Sequence, residues 1–170
     1  AKHPIRIFEY QPGRKGVYPK NFLNGFTGYL HSDAYAGYKK VENITRCLCW
    51  THLRRKFVEA LSKDIRGPDD TLPGQGISYC NQLFEIEKTL ENLSSKERKI
   101  KRLEKEKPVL DAFWAWAESL KDKVLPKSKL AEAINYALTH KNEFMNYLKD
   151  GNCSISNNLA ENCIRPFTIG

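Results

Sequence analysis

The sequence has no apolar run long enough to span a membrane, and no signal-peptide pattern is read at its start. It also has no glycine-rich phosphate loop, no Gly-x-Ser-x-Gly elbow and no His-Glu-x-x-His helix. These absences set aside a membrane span, a P-loop nucleotide site, a serine-hydrolase centre and a zinc-peptidase helix. There is no internal repeat and no low-complexity segment. The five cysteines (Cys47, Cys49, Cys80, Cys153, Cys163) are odd in number and irregularly spaced. That is not the pattern of a secreted disulfide framework, and a reducing, cytoplasmic setting is expected. His3, His31 and His140 have no nucleophile partner in the sequence. Acid is the scarcer charge. The chain's 28 Lys and Arg exceed its 20 Asp and Glu, for a net charge of +8 over 170 residues. That balance suits a polyanionic partner such as nucleic acid, and the length suits one domain, with or without an insertion.

The local patterns describe strands first and helices afterwards. Ile5 to Tyr10 mixes β-branched and aromatic residues and reads as a strand. Gln11 to Gly16 reads as a loop, and Pro19 to Phe26 as a short helix. Gly28 to Ser32 is a second predicted strand, leading into Asp33. Ala34 to Lys40 reads as a helical turn and Ile44 to Trp50 as a third strand. Thr51 then caps an amphipathic helix carrying Leu53, Phe57 and Leu61. Gly67 to Gly76 reads as a linker, and the stretch beyond it is helical throughout. Tyr79, Leu83, Ile86 and Leu90 form an apolar stripe, and Ser94 with Glu97 makes a capping box. Pro108 is predicted to start the next helix and Pro126 to precede another. Asp150-Gly151 is a stop, and a final helix carries Asn157 to Arg165. The order implies an α/β core interrupted by an all-helical insertion. The expected divisions are 1–66 for the first part of the core, 67–150 for linker and insertion, and 151–170 for the return helix.

Several residues could carry chemistry, and each has a plainer role beside it. Asp33 follows a strand and precedes a small-residue turn, where catalytic groups collect, yet Asp also caps such turns. Glu161 lies one turn into the last helix, a position the helix dipole favours for any carboxylate. Asn158 and Arg165 share its face and would suit metal and phosphate together. Cys49 and His52 have a spacing that supplies two zinc ligands, but a structural site needs four and no second pair appears. Arg54, Arg55 and Lys56 make a basic helix start, either a solvated face or a contact for DNA phosphates. Phe113, Trp114 and Trp116 could stack on bases, with core packing the plainer role.

Three blocks, in order, resemble the DDE transposases of the insertion-sequence-66 type. Tyr10 to Arg14 followed by Leu30 to Tyr38 resembles that family's strand-Asp-x-Tyr-Ala-Gly-Tyr block. Cys49 to Phe57 resembles its Cys-Trp-x-His-x-Arg-Arg-Lys-Phe block, and Asn157 to Pro166 its Asn-Asn-x-Ala-Glu-x-x-Ile-Arg-Pro block. The resemblance implies a partial ribonuclease H-like mixed sheet with flanking helices. It implies Asp33 as the second catalytic aspartate and Glu161 as the closing glutamate of a triad holding two Mg²⁺ or Mn²⁺ ions. It further implies DNA as partner, both transposon ends and target, a homo-oligomer in the active complex, and a bacterial, nucleoid-associated setting. The family's first aspartate lies upstream of the segment matched by Ile5 to Tyr10, and no residue here matches it. The chain is therefore expected to be inactive alone. Ser156 stands where members often carry Asp. A ribonuclease H-like nuclease, or a non-catalytic DNA-binding or assembly module, are the competing functions.

Overall fold

The computed structural model describes residues 5–62 and 70–168, with the side chains of the last helix described as far as Cys163. Among these residues the chain is α/β, with seven α-helices and one two-stranded parallel sheet. The order is α1 (Val17–Phe22), β1 (Gly28–Ser32), a 3-10 turn (Ala36–Lys40), β2 (Ile44–Leu48), α2 (Trp50–Glu59), α3 (Leu72–Leu90) and α4 (Ser95–Leu120). Then come α5 (Lys129–Thr139), α6 (Lys141–Met145), a second 3-10 turn (Asn146–Lys149) and α7 (Asn158–Thr168). No described helix is long and apolar enough to cross a membrane.

β1 and β2 run parallel, with Gly28 opposite Ile44, His31 opposite Cys47 and Ser32 opposite Leu48. The expected strand over Ile5 to Tyr10 is not formed. Those residues have no regular structure and are exposed, Ile5 at 85% and Tyr10 at 88%. A β-branched segment gains nothing from extension without a neighbouring strand to take its hydrogen bonds, and none of the described strands pairs with it.

α2 begins at Trp50, one residue before the expected Thr51 cap. Cys49 takes the capping position in extended geometry without a side-chain bond. The helix buries Trp50, Leu53 and Phe57, one stripe at steps of three and four. α3 starts inside the expected linker, whose residues 67–69 lie outside the described residues. Thr71 caps α3 by accepting the Gly74 N–H at 3.1 Å, with Pro73 beside it in the first turn. Gly76 is required by close approach: a Cβ there would come within 2.6 Å of the Phe57 ring.

Pro108 does not start a helix; it lies inside α4. An interior proline costs about 3 kcal/mol and one backbone hydrogen bond. Burial outweighs that here, because Arg102, Glu106, Leu110, Phe113, Trp114, Ala117 and Leu120 form one buried stripe that crosses Pro108 without a break. The Ser94–Glu97 capping box at the start of α4 is present in both directions. The helix expected after Pro126 divides at His140 into α5 and α6.

The core lies where α2, α4 and α6 meet. The Trp50 ring packs 5.4 Å from Phe113, 5.2 Å from Phe144 and 5.9 Å from Trp114, and its indole N–H donates to the Phe144 carbonyl at 3.2 Å. Phe113 and Trp114 are core residues, and Trp116 packs beside them with its indole N–H on Gln75 Oε1. One hydrophobic cluster continues from Cys47 through the helical block to Cys153 and Ile155. The helices from α3 to α6 therefore share a core with the sheet and with the segment that leads into α7.

Candidate functional site

Asp33 is the residue after β1, and its position is fixed from three directions. Its Oδ1 accepts the Tyr35 N–H at 3.0 Å. Its carbonyl accepts Arg46 Nη2 at 3.1 Å and the Ser32 hydroxyl at 2.8 Å. The carboxylate bonds the N–H of Tyr35, the residue at the capping position of the 3-10 turn, with one oxygen, and gives that turn no side-chain cap of its own. Among the described residues Oδ2 has no hydrogen-bond partner, so it remains available to a ligand.

Arg46 is a positioning residue that the sequence reading missed. It lies in the middle of β2, is only 8% exposed, and stands 3.8 Å from Glu143 Oε1. Its signal was a lone arginine between Thr45 and Cys47 in an otherwise apolar strand.

Asp33 and His52 line one cleft of about 310 Å³, together with Tyr35, Arg55, Lys56, Glu59 and Tyr136. Lys56 Nζ lies 4.7 Å from the centroid of the Tyr136 ring. Burial, with the Asp33 charge adding to it, pushes the Tyr136 phenol up to about 12. Tyr136 is thus a neutral hydrogen-bonding wall of the cleft across the physiological range. Asp33 also borders a second groove, of about 510 Å³, with Arg14, Lys15 and Tyr38 on its rim.

The closing block contacts the start of α2. The Trp50 N–H donates to the Ile155 carbonyl at 3.1 Å, and the Asn157 N–H donates to Cys49 Sγ at 3.4 Å. Asn157 then starts α7, its carbonyl accepting the N–H groups of Ala160 and Glu161. One turn in, Glu161 Oε1 lies 3.3 Å from His52 Nε2. His52 therefore lies between the two blocks: it lines the cleft that Asp33 also lines, and its Nε2 contacts Glu161.

Cys49 raises the His52 imidazole pKa, burial opposes it, and Glu161 adds to the rise. Burial works against the Cys49 thiolate, but His52 and the Asn157 N–H outweigh it, and the thiol stands below its ordinary value. As a zinc pair, Cys49 and His52 lack company. Among the described residues no further His, Cys, Asp or Glu completes a three-ligand group with Cys49 and His52.

The other expected site residues divide. Arg55 and Lys56 reach the cleft, Arg55 from an exposed position. Arg54 instead turns to α3, its Nε donating to Asn81 Oδ1 at 2.7 Å. Asn158 is exposed on the first turn of α7. Arg165 lies in α7, and its side chain is outside the described residues.

Known proteins give a consistent assignment. The chain matches the family described as "Transposase IS66 family" over residues 1–170. Among curated proteins it is similar to y4hP of Sinorhizobium fredii, with 32% identity over 98% of this chain. It is also similar to y4qI of the same organism, at 31% over 98% of this chain, and to y4jD, at 27% over 86%. All three are described as uncharacterized proteins. The chain covers 33%, 32% and 30% of these three relatives, about one third of their length. No solved structure matches it significantly. Because the family match runs unbroken from the first residue through β1, α2 and α7 to the last, the chain belongs to the IS66 family of transposases.

Proposed function

We propose that this chain supplies two carboxylates, Asp33 and Glu161, to a transposase catalytic centre that cuts and joins DNA strands. One observation supports the reading: His52, which contacts Glu161, lines the same cleft as Asp33, Arg55 and Lys56. The donor set fits a hard cation, since among the described residues Asp33 Oδ2 has no hydrogen-bond partner and the Glu161 carboxylate contacts an imidazole edge. Mg²⁺ or Mn²⁺ bound there supplies Lewis acidity to the phosphodiester and lowers the pKa of the attacking hydroxyl.

The protein groups do the rest. Arg46 and the Tyr35 N–H hold Asp33, and His52 holds Glu161. Arg55 and Lys56 neutralise the DNA phosphates on either side of the scissile bond. The architecture we assign is ribonuclease H-like, built from 1–66 and 151–170, with 67–150 as the helical insertion. DNA is the partner, and a homo-oligomer is the active form.

Calorimetric titration with Mn²⁺ tests the centre. Asp33→Ala and Glu161→Ala are each expected to abolish binding at this site, and unchanged affinity in both variants would refute the assignment. Retained Mn²⁺ binding, with DNA affinity lost on Arg55→Ala and Lys56→Ala alone, would instead favour a non-catalytic DNA-binding module.

A further inference from the structure

Outside the Asp33 cleft, a second cluster joins three residues from three parts of the chain. The ligand atoms of His31, Cys47 and Cys153 all lie within 4.8 Å of one another. His31 and Cys47 are register partners in the parallel pair, so their side chains leave the sheet on the same side. Cys153 comes from the turn after the second 3-10 segment. That turn is fixed by its own backbone: the Cys153 N–H donates to the Asp150 carbonyl at 3.0 Å, and its carbonyl accepts Arg102 Nη2 at 2.8 Å.

The cluster is also chemically unfinished. Among the described residues, both His31 ring nitrogens are buried with no hydrogen bond of ordinary geometry, and the Cys47 and Cys153 sulfurs lie beside the ring. A buried polar atom left unpaired costs about 1–3 kcal/mol, so two on one ring call for an explanation. Cys47 and Cys153 are free thiols, 0% and 5% exposed. One nitrogen and two sulfurs make a soft donor set, suited to Zn²⁺ and poorly suited to Mg²⁺ or Ca²⁺.

We propose that His31, Cys47 and Cys153 bind one Zn²⁺ ion, which clamps the strand leading into Asp33 to the segment leading into Glu161. Zn–S bonds of about 2.3 Å and Zn–N bonds of about 2.0 Å place tetrahedral donors roughly 3.5–3.8 Å apart, so the cluster needs to contract by at most about 1.3 Å. Both thiols bind as thiolates and give their protons to solvent, and the two negative sulfurs balance the charge of the ion. Water takes the fourth position from the His31 side, the least buried of the three. The site is separate from Cys49 and His52, which lack a third ligand. Its ligation stands whether or not Asp33 and Glu161 hold catalytic cations. Its position, two residues before Asp33, makes it a structural support for that carboxylate.

The test is a titration of the chelator-stripped protein with Co²⁺ under reducing conditions. Thiolate-to-cobalt charge transfer and tetrahedral d–d absorption are expected to saturate at about one equivalent per chain, to vanish on adding Zn²⁺, and to survive excess Mg²⁺. Cys153→Ser is expected to lose the signal and Cys49→Ser to keep it, with circular dichroism confirming that both variants fold. In the wild-type chain, Zn²⁺ is expected to slow alkylation of Cys47 and Cys153 and leave Cys163 unchanged, a readout that needs no variant. Absence of thiolate–cobalt absorption in the wild type overturns the proposal. So does a signal that follows Cys49 instead of Cys153, or a Cys47–Cys153 disulfide that persists in reductant.

Discussion

The backbone N–H of Asn157 donates to the sulfur of Cys49 across 108 residues of sequence. With the Trp50–Ile155 bond and the His52–Glu161 contact, it joins the start of α2 to the start of α7 at three points. Three ties of different chemistry at one junction fix the direction in which α7 leaves it, and hence where Glu161 points.

The His52–Glu161 contact has a pH signature. The folded pKa of His52 is raised, by Cys49 first and by Glu161 in addition. Stability from this raised value is fully present below the unfolded pKa, ordinarily 6.5, and is lost as pH rises through the folded value. Glu161→Gln is expected to lower the His52 pKa, read by NMR titration of the imidazole. It is also expected to destabilise the protein more at pH 6 than at pH 9. An unchanged His52 titration would remove Glu161 as its partner.

Glu106 is fully buried in α4 and accepts the Tyr147 hydroxyl. Burial, and then the neighbouring Glu87, push its carboxyl up to about 9 from an ordinary 4.5. The native state therefore keeps a proton that the unfolded chain releases, and stability from this group falls as pH rises from about 4.5 to about 9. Glu106→Gln keeps an acceptor for Tyr147 and removes the titration. Its Tm is expected to match the wild type near pH 4 and to exceed it increasingly towards pH 8. A constant difference across that range would show Glu106 to be ionised in the fold.

Arg102, 1% exposed, is the most heavily bonded side chain of the helical block. It makes a two-pronged contact with Glu87, at 2.6 and 2.9 Å, and donates to the carbonyls of Tyr147, Asp150 and Cys153. Arg102→Ala strands Glu87 and three carbonyls, and is expected to cost about 3–5 kcal/mol in chemical denaturation. Arg102→Lys is expected to recover less than half of that, because an ammonium lacks the planar fork. Full rescue by Lys would mean that charge alone matters there.

Two glycines mark contacts too close for a methyl group. A Cβ on Gly151 would lie 1.9 Å from the Ser95 carbonyl oxygen, a backbone atom at the capped start of α4. A Cβ on Gly76 would meet the Phe57 ring at 2.6 Å. Each alanine substitution is expected to destabilise by about 1–3 kcal/mol, with Gly151→Ala the worse because a carbonyl of the helix start yields less than a ring. Thermal unfolding of both variants decides the ranking.

If Arg55 and Lys56 meet DNA phosphates, each alanine variant reduces the slope of log K against log salt by about 1, uniformly across sequences. Arg54→Ala is expected to leave that slope nearly unchanged, since its guanidinium is spent on Asn81. Equal effects at all three positions would place the DNA on a different face of α2.

Local chemistry was legible in the sequence where neighbours decide it. The bounds of β1, the Ser94–Glu97 box and the start of α7 at Asn157–Asn158 all rest on residues within a few positions of one another. Pro108 was misread because proline is a local signal, whereas the buried stripe that carries α4 through it depends on partners in other elements. Ile5 to Tyr10 failed for the opposite reason, since strand propensity cannot supply a pairing edge. His31 and Cys47 could be brought together only by knowing the parallel register, and Cys153 only by knowing where Arg102 pins its turn. Tyr136 reaches the cleft, and Arg46 the Asp33 carbonyl, through tertiary placement alone.

The shared core of sheet, helical block and closing segment has a kinetic consequence. Bringing Asn157 to Cys49 requires closing a very long loop, and a flexible chain pays entropy for that before the contacts reward it. Helices α3 to α6 form largely from near neighbours, and once packed they shorten that search to the gap between two rigid ends. The amides of Trp50 and Asn157 are therefore natural clocks. In pulsed hydrogen exchange during refolding, both should acquire protection together, after the helical amides of α4, as the junction closes.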